Sequence, residues 1–194
     1  NYRINSLSGN IEFQWQQNFN SSELSAHIDL DDGLLYKKDF DALQSDIEIR
    51  EDNGLYSIKS SGLLTGWSYD PYTWDSIHYY IDYSDNNLSY YKLKATSVTG
   101  DSLKLHAERD KIGDIIITDF QGFLKQTKIN TPKPFYINNN NNNLAFPVVN
   151  VNFGEGELEL SGKYSSKDHY EITGYISNLD LNKLYSIIGK SFRI

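Results

Sequence analysis

Four histidines, several closely spaced carboxylates and one aromatic cluster are the residues here whose types could do chemistry. His27, His78, His106 and His169 stand in no H-x-H, H-x-x-x-H or H-E-x-x-H arrangement, so a metal site would have to be assembled from distant strands. Asp29, Asp31 and Asp32 precede Gly33 in the manner of a calcium loop. Counting from Asp29, however, Phe40 stands where a helix–loop–helix calcium hand needs its closing Glu. A solvated turn is the reading these residues favour. Asp46/Glu48, Glu157/Glu159 and Asp29/Asp31 are paired carboxylates two residues apart, which on a strand share one face. Such a pair could serve glycoside hydrolysis. Each pair lies opposite an apolar face, as on a solvated sheet surface. No G-x-S-x-G elbow, phosphate-cradling Gly-Lys-Ser/Thr loop or dinucleotide fingerprint occurs. The sequence therefore nominates no catalytic residue, no metal ligand and no cofactor. Trp67, Tyr69, Tyr72 and Trp74 form the best candidate ligand surface, since their ring faces stack on sugars and Pro71 can present them on a loop; packing beneath that loop is the alternative.

Composition bounds the partners. The 194 residues carry a formal charge of −8, which lacks the basic footprint of a nucleic-acid binder and weakens the case for docking on anionic headgroups. There is no Cys, which excludes disulfides and thiolate chemistry and suits an exported bacterial protein. Fifteen Tyr, nine Phe and three Trp favour pleated surfaces over helices. The chain opens Asn1-Tyr2-Arg3 and contains no Met, so we expect a removed initiator or a piece of a longer parent. No apolar run is long enough to span a membrane, and any anchor is expected in parts of that parent outside this sequence.

Alternation dominates the chain. Ile11, Phe13 and Trp15 oppose Glu12, Gln14 and Gln16, and Leu24, Ala26, Ile28 and Leu30 repeat the pattern. Asp31-Asp32-Gly33 and Asn53-Gly54 signal tight turns. Residues 37–43 are expected to form one helical turn. Residues 62–73 are less regular. Ile77, Tyr79, Ile81 and Tyr83 continue the pattern, followed by Leu103, Leu105 and Ala107, then Ile115-Ile116-Ile117. Thr131-Pro132-Lys133-Pro134 and the six consecutive residues Asn138 to Asn143 read as an unstructured loop. Beyond it come Val149, Val151 and Phe153, then a hairpin carrying Leu158, Leu160, Tyr170 and Ile172. A short helix follows, with Asn178 or Asp180 as N-cap and Gly189 at its end. The fold expected is mostly β: an elongated antiparallel meander, a curved sheet or sandwich, with a short C-terminal helix. The organisation expected is a sheet region over 1–129, a Pro/Asn-rich loop or linker over 130–143, and a hairpin plus helix over 144–194 continuing the same sheet. Gly9–Leu43 and Gly154–Gly189 share a faint strand–strand–helix-turn pattern, a candidate repeat.

The closing unit resembles the repeat of AsmA-like and TamB-like envelope proteins. Glu157 to Lys163, Glu171-Ile172-Thr173-Gly174-Tyr175-Ile176, and Leu179-Asp180-Leu181 with Leu184 and Ile188-Gly189 carry the resemblance. Gly9 to Trp15, Leu24 to Ile28 and Asp32 to Leu35 echo it, so that about half the chain is covered. The resemblance implies a long curved sheet in the periplasm of a diderm bacterium, apolar on its concave face and polar on its convex face. It implies phospholipid transport or outer-membrane assembly without catalytic residues, with acyl chains or an outer-membrane protein client as partner. The lining would be Leu24, Ile28, Leu103, Leu105, Val149, Val151, Leu158, Leu160, Tyr170 and Ile172. The same residues could instead fill a closed sandwich core. A carbohydrate-binding sandwich using Trp67 to Trp74 is the alternative function, followed by a carboxylate-pair hydrolase.

Overall fold

The computed structural model describes residues 8–188 apart from 19, 36–37, 70–71, 111, 141–142 and 166–168. The described chain is mostly antiparallel strand in meander order, with a single short C-terminal helix. It divides into two compact units, Asn1–Val98 and Thr99–Ile194. The boundary falls between Val98 and Thr99, and the Pro/Asn-rich segment 130–143 belongs to the second unit.

The first unit holds six strands: β1 (Ser8–Asn18), β2 (Ser21–Leu35), β3 (Lys38–Asp52), β4 (Leu55–Tyr69), β5 (Tyr72–Ser84) and β6 (Ser89–Thr96). Each pairs antiparallel with its neighbour in sequence. The register aligns the alternation into cross-strand rows. Trp15, Leu24, Ile49, Ile58 and Tyr83 form one row, and Ile11, Ile28, Ser45, Gly62 and Tyr79 another. One face is thereby apolar and the other polar, as period-2 patterning requires. Asn53 and Gly54 both have positive φ (51° and 80°) and connect β3 to β4, as the turn chemistry anticipated.

Two local expectations are corrected. Asp31-Asp32-Gly33 does not reverse the chain. Asp32 has φ 51°, but it lies within β2, whose pairing with β3 continues to Leu35 and Lys38. One left-handed residue bends a strand, whereas a tight reversal of this type needs two. The helical turn expected over 37–43 is absent from the described part, because residues 38–43 pair with β2 throughout.

Glycines on central strands sit beneath aromatic rings of the directly opposed residue. Gly33 faces Phe40 and Gly62 faces Tyr79 in the first unit, and Gly162 faces Phe146 in the second. A Cβ on any of the three would fall within 2.6 Å of that ring. The rings thus supply the contact area the glycines lack.

The second unit contains β7 (Ser102–Arg109), β8 (Ile115–Leu124), β9 (Thr127–Asn130), β10 (Phe135–Asn140), β11 (Asn143–Phe153), β12 (Gly156–Ser165), β13 (His169–Ser177) and α1 (Leu181–Ile188). β8 pairs with β7, and β11, β12 and β13 follow in order. β9 and β10 share one position between β8 and β11. Within the segment 130–143, residues Phe135–Asn140 therefore form a strand where a loop or linker was expected. Pro132 and Pro134 cannot donate to the ladder, so they interrupt a strand that resumes at Phe135. Thr131 still donates to the Phe120 carbonyl before the break. Asn138 and Asn139 pair with Ala145 and Leu144 across a hairpin whose tip, 141–142, lies outside the described residues. Pairing of Phe135 to Ile137 with β8 and of Asn138 to Asn140 with β11 outweighs the low strand propensity of Asn.

The Asp180 carboxylate accepts from the Asn182 and Lys183 amides and caps α1. Gly189, the expected end of the helix, lies outside the described residues. Leu181 and Tyr185 stay exposed, so this face of the helix plugs no core. Because the Gly9–Leu43 segment continues into a strand where α1 stands in the other copy, the candidate repeat holds only for two strands.

Candidate functional site

All described groove candidates fall on the apolar face of their own unit. Leu24 and Ile28 stand two rows apart in the first. In the second, Val149 opposes Leu160 and Val151 opposes Leu158, with Ile172 opposite Gly162. Leu103 and Leu105 pair with Gly122 and Phe120 across β7 and β8. Tyr170 pairs with Tyr164 through the backbone, and its side chain lies outside the described set.

These faces are not closed cores. Only nine apolar side chains are buried among the described residues, Val149 alone among the candidates. Most of the others are half-buried, and Ile172 is exposed.

The aromatic cluster takes a different form from the one expected. The described residues 67–69 and 72–74 belong to β4 and β5, where Trp67 opposes Trp74 and Tyr69 opposes Tyr72. Trp74 is 8% exposed and stacks on Tyr72 at a centroid distance of 5.7 Å. Trp67 is half-buried, and the Tyr69 side chain and Pro71 lie outside the described residues. A sugar platform needs a free ring face, which Trp74 does not offer. Trp67, Tyr72 and Trp74 pack the hairpin end.

Sequence reasoning missed a hollow of about 730 Å³ on the polar face of the first unit. Glu12, His27, Asp46, Ser61 and Tyr80 form one cross-strand row of it, and Gln14, Ser25, Glu48 and Lys59 the next. This hollow of the first unit thus opens on its polar face. The residues of these two rows sit at polar alternation positions, but only the register reveals that five strands bring them together.

The His27 ring Nδ1–H donates to Asp46 Oδ1 at 2.7 Å. That bond is the main cause raising the His27 pKa above its ordinary value; the charges of Asp46, Asp29 and Glu12 add to it and desolvation opposes it. Tyr80 donates to Asp82 at 3.1 Å, and this raises the phenol's pKa. Glu48 pairs with Arg50, which also reaches Glu23 at 3.4 Å. Both members of the Asp46/Glu48 pair are thus engaged by cationic or hydrogen-bonding side chains. Glu157 and Glu159 are exposed on the outer face of β12. No group of three His, Asp or Glu among the described residues is arranged to hold a metal ion.

No protein-family model matches the chain, and comparison with curated proteins and with solved structures finds no match either.

Proposed function

We propose that this protein is a non-enzymatic domain of the bacterial cell envelope, periplasmic in a diderm cell. Its apolar sheet face would carry phospholipid acyl chains or an extended outer-membrane protein client. One observation supports the reading: each unit has an apolar face built from continuous cross-strand rows and left half-exposed. Water leaves such a face readily when a methylene chain covers it. Complete burial is worth about 0.8 kcal/mol per methylene, and one-sided cover about half of that. Because the large hollow of the first unit lies on the polar side, acyl chains lie along the apolar rows of a sheet surface and not inside a pocket.

The carbohydrate-binding alternative loses its platform with the burial of Trp74. Of the carboxylate pairs, Asp46 is held by His27 and Glu48 by Arg50, while Glu157 and Glu159 stand exposed on β12.

The test is photocrosslinking of the chain to vesicles containing a phospholipid with a photoreactive acyl tail. Leu105→Asp and Leu158→Asp each place a charge on the apolar face of the second unit. Both side chains are only half-buried, so the variants are expected to fold and to lose most of the crosslinking. Undiminished crosslinking in folded Leu105→Asp and Leu158→Asp protein would remove the proposal.

A further inference from the structure

β1 pairs only with β2 among the described residues, so its other side is an unpaired strand edge there. The sequence of that strand carries none of the usual edge protections. Its eleven residues contain no Pro and no Lys, its register with β2 runs unbroken from Ser8 to Asn18, and Glu12 is its single charge. The apolar side chains along it stand in water: Ile11 is 45% exposed, Phe13 67% and Trp15 60%.

An antiparallel partner must keep apolar residues against apolar ones, because a slip of one residue turns every side chain to the other face. For two copies of this strand about a twofold axis, the centre of symmetry fixes the register. A centre on Glu12 sets the Glu12 carboxylates of the two copies against each other and Trp15 against Gly9. A centre on Gln14 sets Ile11 against Gln17. A centre on Phe13 satisfies every position at once: Phe13 meets Phe13, Ile11 meets Trp15, Glu12 meets the amide of Gln14, and Asn10 meets Gln16. Phe13 is also the midpoint of β1, so all eleven residues pair, Ser8 with Asn18 at each end.

We propose that β1 is a homodimer interface, in which a second copy of this chain pairs antiparallel across a twofold axis at Phe13. The two sheets join edge to edge, and their apolar faces become one continuous surface on the same side. The dimer follows from the edge chemistry alone and does not depend on what the apolar face binds.

The chain has no Cys, so single cysteines report the register directly. Opposed Cβ atoms in such a pair lie about 4.5–5.5 Å apart, close enough to oxidise with slight adjustment. Under a mild oxidant, Phe13→Cys should form a disulfide dimer at least tenfold faster than Ile11→Cys or Trp15→Cys alone. The Ile11→Cys/Trp15→Cys double variant should recover the fast rate. Light scattering coupled to gel filtration should give twice the chain mass for the unmodified protein. Phe13→Lys, which opposes two ammonium groups on the axis, should give the monomer mass. Gln14→Lys, which meets Glu12 of the other copy twice, should keep the dimer and make it more sensitive to salt. A monomer mass for the unmodified protein at every concentration overturns the proposal. So does equal crosslinking at 11, 13 and 15, or an unchanged dimer in Phe13→Lys. If Phe13→Lys does not fold, the cysteine series decides alone.

Discussion

Replacing Gly33 with Ala sets intrinsic preference against packing. Glycine inside a strand is disfavoured relative to alanine by roughly 0.5–1 kcal/mol, so Gly33→Ala should stabilise if nothing else changed. In the structure the added methyl would lie 2.2 Å from Phe40 Cζ and 2.4 Å from Cε1. Phe40 is 6% exposed, so its ring cannot swing into solvent without leaving a packed position. Removing a buried Phe ring altogether costs about 3–5 kcal/mol. A ring that keeps half its contacts loses about 2 kcal/mol, and the net effect of Gly33→Ala is about 1–1.5 kcal/mol of destabilisation. With Phe40→Ala in the background the obstacle is gone, and the same change should be neutral or stabilising. The coupling between the two sites is thus about 2 kcal/mol. Urea unfolding of the four proteins measures it. Tryptophan fluorescence is a clean probe, since Trp15, Trp67 and Trp74 all belong to the first unit. Additive effects within about 0.5 kcal/mol, or a stabilising Gly33→Ala in the otherwise unmodified chain, would refute the idea that the ring stands in for the missing side chain.

Two further outcomes are expected. The His27 ring should titrate above the ordinary histidine value in an NMR pH series, and Asp46→Asn should bring it back. Because the folded pKa is raised, the small stabilisation from this pair is fully present below about pH 6.5 and fades as pH rises through the folded midpoint. A His27 midpoint unaffected by Asp46→Asn would sink the assignment. Asp101 is 6% exposed, and its carboxylate accepts from the Lys125 amide at 2.6 Å and the Thr99 hydroxyl at 3.1 Å. Lys125 and Gln126 both have positive φ, so this bond steadies the β8–β9 turn. Asp101→Ala should destabilise the second unit by about 2–3 kcal/mol, seen as faster amide exchange along β8 and β9.

What was legible in the sequence was the alternation. The strands from Ile11 to Tyr83 and from Leu103 to Ile176 show themselves because side-chain period is a local property. Asn53-Gly54 was legible for the same reason, since its chemistry and its turn coincide. Asp32 misled because a left-handed residue reports a local angle and not whether the chain reverses. Residues 130–143 misled because Asn-rich and Pro-rich composition speaks for the isolated segment, while β8 and β11 supply its ladder from outside. The hollow around His27 was hidden because its lining comes from five strands, and no local signal encodes their register. Period-2 patterning was also silent on whether Leu158 and Leu160 meet a second layer, which burial alone decides.

The order of the first unit, in which every strand lies beside its neighbours in sequence, has a mechanical consequence. Each closure is a short local loop, so its contact order is low and pairing can spread rung by rung from any hairpin. Such a sheet behaves nearly as a one-dimensional chain of interfaces, each stabilised by the strands next to it. Pulled from its ends it should shed strands one at a time, in a staircase of small steps on a single-molecule force trace, and not rupture in one cooperative event.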